Sequence, residues 1–165
     1  MELITAETIE RKTVQVKRDD LNFSIHLYGV VVRDGKILIS PQWKENGFDF
    51  PGGRVDKGEL HLDGLVREVR EETGFTIKPT DLIDVQTSFF VHPISGRALH
   101  SILIYYGGEI VSGEISTSGF DQDEIGYAKP ARFVTLDELG KMEFMSNQKP
   151  LAKIMPYLEQ KLSAK

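Results

Sequence analysis

Glu68, Glu71 and Glu72 stand at positions i, i+3 and i+4 just ahead of Gly74, with Arg67 and Arg70 interleaved. On a helix this spacing stacks the three carboxylates in one stripe. Gly74 suits the left-handed residue that ends a helix, which places Glu71 and Glu72 in the last turn. Carboxylates there oppose the helix dipole, whose negative end is the C-terminus. Each like-charge pair costs about 0.2–0.5 kcal/mol and each opposed acid about 0.3–1 kcal/mol, while Gly64 inside the helix adds roughly 1 kcal/mol relative to Ala. The sum approaches about 2–3 kcal/mol before Arg67 and Arg70 screen part of it. A hard divalent cation such as Mg²⁺ or Mn²⁺ reverses the local electrostatics, because it takes carboxylate and carbonyl oxygens as ligands. A solvated charged face is the competing reading. Three acids that break helix rules together, on a helix that follows the Pro51-Gly52-Gly53 turn, favour a site.

The elements that must position these acids follow from periodicity. Over Leu60–Thr73 the residues Leu62, Leu65, Val66 and Val69 fall at i, i+3, i+4 and i+7, a single apolar stripe expected to face a core, with the acids along its edge. Thr13–Arg18 alternates with period two, and Ser24–Arg33 is β-branched and aromatic-rich. Asp34-Gly35 then makes a two-residue hairpin turn into Lys36–Ser40. Asp81–Val91 and Ala98–Ile110 read as two more strands around a turn-rich segment, and Ala131–Val134 as a short one. Thr135 opens a short helix with a capping-box pattern ending at Glu138. A C-terminal helix is expected over about residues 147–162, kinked or split by Pro156. Residues 1–20 read as an N-terminal extension or edge strand. Strands around one well-marked helix, with a second from the C-terminus, predict one α+β domain over residues 1–165 with a mostly hairpin-built sheet.

Composition narrows the function classes. With 40% hydrophobic residues the 165-residue chain can bury a real core. Its acidic residues outnumber its basic ones by 25 to 20, the opposite of an electrostatic nucleic-acid binder, so no DNA or RNA partner is expected. No apolar run reaches the roughly 18 residues a membrane span needs, and the polar N-terminus does not resemble a secretory signal. Cysteine is absent, which rules out thiolate metal ligands and a Cys nucleophile and makes the cytoplasm the default location.

The stretch Gly53–Phe75, GRVDKGELHLDGLVREVREETGF, resembles the Nudix box, G-x5-E-x7-R-E-U-x-E-E-x-G-U with U aliphatic. Gly53, Glu59, Arg67, Glu68, Val69, Glu71, Glu72 and Gly74 all stand at the required spacing, and only Phe75 departs, an aromatic at an aliphatic position. The resemblance implies an α/β/α sandwich with a mixed sheet and the box as loop–helix–loop. It also implies hydrolysis of the pyrophosphate bond in a nucleoside diphosphate linked to another group. On this resemblance Glu68, Glu71 and Glu72 are metal ligands together with the Gly52 carbonyl; Glu59 supports the metal shell and Arg67 orients a glutamate. The general base lies on the box helix or on a later loop, for which Glu124, in the Asp123–Ile125 stretch, is the candidate.

Other candidates rest on residue type and place. Arg54 follows the Gly-Gly turn and suits a phosphate contact, against an exposed surface role. Trp43 suits stacking on a base, against ordinary packing. Arg97 and His100 lie on or beside a strand near the expected cleft and are candidate substrate contacts, against structural roles. A nucleotide-sensing module of the same fold would show an eroded box, whereas this one keeps every acidic position; an isopentenyl diphosphate isomerase would need a Cys. ADP-ribose, nucleotide sugars, dinucleoside polyphosphates and nucleoside triphosphates all remain substrate candidates. A homodimer is among the assemblies the sequence allows.

Overall fold

The computed structural model describes residues 2–119, 129–145 and 148–164, the side chains of 148–150 excepted. The described strands are β1 (Leu3–Glu7), β2 (Thr13–Lys17), β3 (Asn22–Arg33), β4 (Lys36–Pro41), β5 (Gly47–Asp49), β6 (Gly52–Arg54), β7 (Phe75–Val91), β8 (Ala98–Gly113), β9 (Arg132–Val134) and β10 (Glu143–Phe144). The helices are α1 (His61–Thr73), α2 (Leu136–Leu139) and α3 (Gln148–Ser163). The strands join in the order β10-β5-β4-β3-β8-β7-β1-β2, with β6 also on β3 and β9 on β4. Pairing is mixed: β3 with β8, β1 with β7 and β10 with β5 are parallel, and the other pairs are antiparallel.

Both faces of the central strands are covered, which is why they read as continuous apolar runs. Alternate residues serve opposite layers. Leu27, Val31 and Leu38 pack with Leu65 and Val69 of α1, while Val30, Ile37, Ile39 and Tyr105 pack with Ile154 and Leu158 of α3. The sheet between α1 and α3 is the expected α/β/α sandwich.

Two sequence expectations need correction here. Leu62 is exposed, so the apolar stripe of α1 narrows to Leu65 and Val69, with Val66 at its margin. Helix α3 is not split: it runs through Pro156, whose missing N–H lies in a helix anchored by the fully buried Ile154 and Leu158 on either side. The N-terminal segment, expected as an extension or edge strand, forms a β1–β2 hairpin that extends the sheet beyond β7, with β2 at its edge. The capping box at Thr135 forms as expected, with Glu138 N–H donating to Thr135 Oγ1 and Thr135 N–H to the Glu138 carboxylate.

Candidate active site

Helix α1 leaves the sheet after the β6 turn and brings its acidic stripe back over it. Gly74 closes the helix in the left-handed region, φ 82°, a conformation costly for any other residue. The acids are therefore held at the helix end, as their spacing requires, and the charge they concentrate there is met by Arg67. Its Nε and Nη2 donate to the two Glu59 oxygens at 2.9 and 3.0 Å, and its Nη1 donates to Glu68 at 2.9 Å and Glu71 at 3.0 Å. Nη2 also donates to the Arg54 carbonyl at 3.2 Å. One planar guanidinium thus satisfies three carboxylates, which a lysine could not.

The ionisations follow. Hydrogen bonding from Arg67, reinforced by the Asp56 N–H, holds the Glu59 carboxyl down at about 2. Hydrogen bonding to Glu59, then to Glu68, pushes the Arg67 guanidinium above its already high ordinary value against the opposing effect of its partial burial. Glu72 faces the other way. Its Oε2 accepts from Ser40 Oγ on β4 at 2.8 Å and from the Gly52 N–H at 3.0 Å. Glycine at position 53 lets the Glu68 carboxylate lie against the turn: a Cβ there would be 2.5 Å from Glu68 Oε2 and would push that side chain aside.

These groups form one wall of a cleft of about 830 Å³. Its floor is the sheet face carrying His26 and Tyr28 of β3, Ser101 and Leu103 of β8, and Ser88 and Phe90 of β7. His26 Nε2 lies 3.0 Å from Ser24 Oγ, itself 3.1 Å from Ser101 Oγ, in a polar strip along otherwise apolar strands. Burial first, and then the Arg54 cation, hold the His26 imidazole down at about 4, so it is neutral near pH 7. Arg54 pairs with His26 across the β6–β3 ladder and is exposed at the cleft edge.

Of the residues singled out from sequence, Glu68, Glu71, Glu72, Arg67, Gly52, Arg54 and Trp43 all line this cleft, and Glu59 supports it through Arg67. Glu124 lies outside the described residues. Arg97 and His100 are not brought to the cleft. On β8 it is Leu99, Ser101 and Leu103 that face inward, so alternation turns His100 to the opposite face, against Phe23 and Phe89. Arg97 lies exposed in the β7–β8 connection, beside Asn22 and Lys17.

Sequence reasoning missed His26, Ser101, Ile9 and His92, all of which also line the cleft. Ser24 and His26 carried a usable signal, polar residues two apart on an apolar strand. Ile9 and His92 carried none, because their place depends on long-range pairing.

Whether these residues suit a divalent cation is a question of donor chemistry. Glu68, Glu71 and Glu72 supply only hard oxygens, beside backbone at Gly52–Gly53 that carries no side chain, which suits Mg²⁺ or Mn²⁺. Among the described residues no three acidic or histidine side chains converge on a single point, because Arg67 takes up Glu68 and Glu71 while Glu72 turns to Ser40. The donors fit; their present arrangement is closed on the arginine.

Comparison with known proteins agrees with this geometry. The family model described as the NUDIX domain matches residues 27–158. An ADP-ribose pyrophosphatase of Methanocaldococcus jannaschii is 32% identical over 143 residues, covering 81% of this chain and 78% of that protein. An RNA pyrophosphohydrolase of Aeromonas hydrophila is 37% identical over only 62 residues, 36% of this chain and 34% of its own length. A solved Nudix hydrolase from Nitrosomonas europaea superposes with a TM-score of 0.61 at 19% identity, over 85% of this chain and 91% of the other, a likeness of fold. The family model and the relative place the chain, with its sandwich and acidic cleft, among hydrolases of phosphoanhydrides. The chain belongs to the Nudix family and is a pyrophosphohydrolase. Among the described residues no helix is long and apolar enough to cross a membrane.

Proposed function

We propose that the cleft hydrolyses the pyrophosphate bond of a nucleoside diphosphate linked to a second group, with Mg²⁺ or Mn²⁺ held by Glu68, Glu71 and Glu72 and the Gly52 carbonyl. The observation that carries this reading is the gathering of those three glutamates, Arg67 and the Gly52–Gly53 turn on one wall of one cleft. Bound there, the cation supplies charge neutralisation for the diphosphate and lowers the pKa of the attacking water.

The remaining work belongs to the chain. Arg67, fixed by Glu59, presents Glu68 and Glu71 to the cleft in a set orientation. Ser40 and the Gly52 N–H orient Glu72 in the same way. Arg54, exposed at the edge and loosely paired with Asp56 at 3.7 Å, is placed to take a phosphate oxygen. Glu124 and the carboxylates of α1 are the candidates for the base that takes the proton of the attacking water.

ADP-ribose is the first substrate to test, because the relative of that activity is similar over most of both chains. The purified protein should be assayed for phosphate-bond cleavage against ADP-ribose, nucleotide sugars, dinucleoside polyphosphates and nucleoside triphosphates, with Mg²⁺, with Mn²⁺ and with chelator. Metal-dependent cleavage of at least one member supports the reading; inactivity across the panel with both metals removes it.

A further inference from the structure

Part of the cleft lining is apolar and aromatic, and one piece of it comes from a segment outside the family-matched region. Ile9, in the β1–β2 turn, lines it together with Trp43 from the β4–β5 connection and His92 from the β7–β8 connection. The Trp43 and His92 rings meet edge to face, centroids 5.6 Å apart. Among the described residues only Arg11, Asp34 and Trp43 are non-glycine residues at positive φ. Asp34 belongs to the Asp34-Gly35 hairpin turn, where this conformation is ordinary. Arg11 and Trp43, both at φ 62°, are bulky residues in a region costly to them, and such conformations persist only where the surroundings enforce them.

Local backbone hydrogen bonds close both turns, Arg11 N–H to the Thr8 carbonyl and Lys44 N–H to the Gln42 carbonyl, and the two turns share a side-chain partner. The Arg11 guanidinium donates to the Phe144 carbonyl on β10 and lies 3.9 Å from the Glu143 carboxylate. The same Glu143 oxygen accepts from Nζ of Lys44, the neighbour of Trp43, at 2.7 Å. Glu143 thus ties the turn carrying Ile9 to the loop carrying Trp43.

We infer that the β1–β2 turn is a substrate-selecting wall: Arg11 and Glu143 are positioning residues that hold Ile9 and Trp43 around the flat aromatic base of the nucleoside. This deepens the proposed function, on which it rests. A base offers an apolar face to Ile9 and a π-face to Trp43, whereas a sugar offers neither to the same degree.

Trp43 is the sole tryptophan of the chain, so its emission reports this part of the cleft lining without turnover. The full-length protein is titrated with AMP, with GMP and with ribose 5-phosphate, and KM and kcat are measured on the best substrate. At least one nucleotide should change the emission at concentrations where ribose 5-phosphate does not. In Arg11→Met and Glu143→Gln the apparent Kd of that nucleotide and the KM should both rise by roughly threefold or more, with kcat within about twofold of wild type. Ile9→Ala, which leaves the ion cluster intact, should raise KM in the same sense and guards against a folding defect in the charge variants. Emission indifferent to both nucleotides, or Kd and KM unchanged in all three variants, overturns the inference. A wild type that hydrolyses nothing in the substrate panel overturns the proposed function instead, and the emission titration still reads the wall by itself.

Discussion

Arg67 and Glu59 are joined by a two-bond fork, with both Glu59 oxygens occupied and both bonds at or below 3.0 Å. The fork fixes the plane of the guanidinium and hence the direction of the bonds its Nη1 makes to Glu68 and Glu71. Arg67→Lys keeps the charge and loses the fork. The expected result is a fall in kcat/KM of about 10–100-fold, the usual scale for groups that orient ligands from behind. The Glu59 carboxyl, held at about 2 in the wild type, should move up towards its ordinary 4.5 in that variant, as read by carbon-detected NMR titration. An unmoved Glu59 pKa would mean that the fork is not what depresses it.

Glu68 packs against Gly53 and takes one arm of Arg67, at the centre of the acidic wall. Glu68→Gln keeps the size and removes the charge. Turnover should drop by about two orders of magnitude or more while the melting temperature stays near that of wild type. Steady-state kinetics and a circular-dichroism melt check both halves. Activity comparable to wild type would eliminate the proposed role of Glu68.

Arg67 relieves part of the repulsion at the end of α1, but it is one cation against Glu59, Glu68 and Glu71. Divalent cations should therefore stabilise the fold. At a metal concentration of 100 times Kd the gain is about 2.7 kcal/mol, or roughly 5–10 °C for a domain of this size. Thermal melts with Mg²⁺, with Mn²⁺ and with chelator measure it, and coincident curves would contradict the metal site.

His26 predicts a pH dependence of stability. The unfolded chain takes up a proton near the ordinary 6.5, the folded one only near 4. The stability contributed by the neutral, half-buried ring is complete above 6.5 and is lost as the pH falls through that window. His26→Gln should lose less stability than wild type between pH 7 and pH 5 in urea unfolding. Parallel losses in the two proteins would show that the ring is not held neutral.

The acidic wall was legible in the sequence because its residues lie within one helix and the turn before it, where spacing alone decides geometry. The long strands were legible for a similar reason: an apolar run such as residues 24–33 needs only its own composition to be read. The short strands β5, β6 and β10 were not, since three or two residues hold no period and take their strand form from distant partners, as Glu143 does from Gly47. The misplacement of His100 shows the limit sharply. Membership of β8 was correct, but which face a residue takes depends on register, and register is set by β3 and β7. Leu62 had the right helical phase and still lies exposed, because only the residues around Leu65 and Val69 meet the sheet.

The parallel pairing of β3 with β8 also bears on how the protein is made. Residues 22–31 find their partners in residues 99–108, and the whole of α1 lies in the chain between them. On a ribosome the acidic helix therefore emerges well before the strand that floors its cleft, and the β10 segment that anchors Arg11 comes later still. Non-local pairings of this kind are slow to form because a long loop must close before any contact rewards it. The cleft is thus completed late, and the nascent chain carries its three glutamates and the apolar face of β3 uncovered through much of synthesis, the interval in which a chaperone has most to protect.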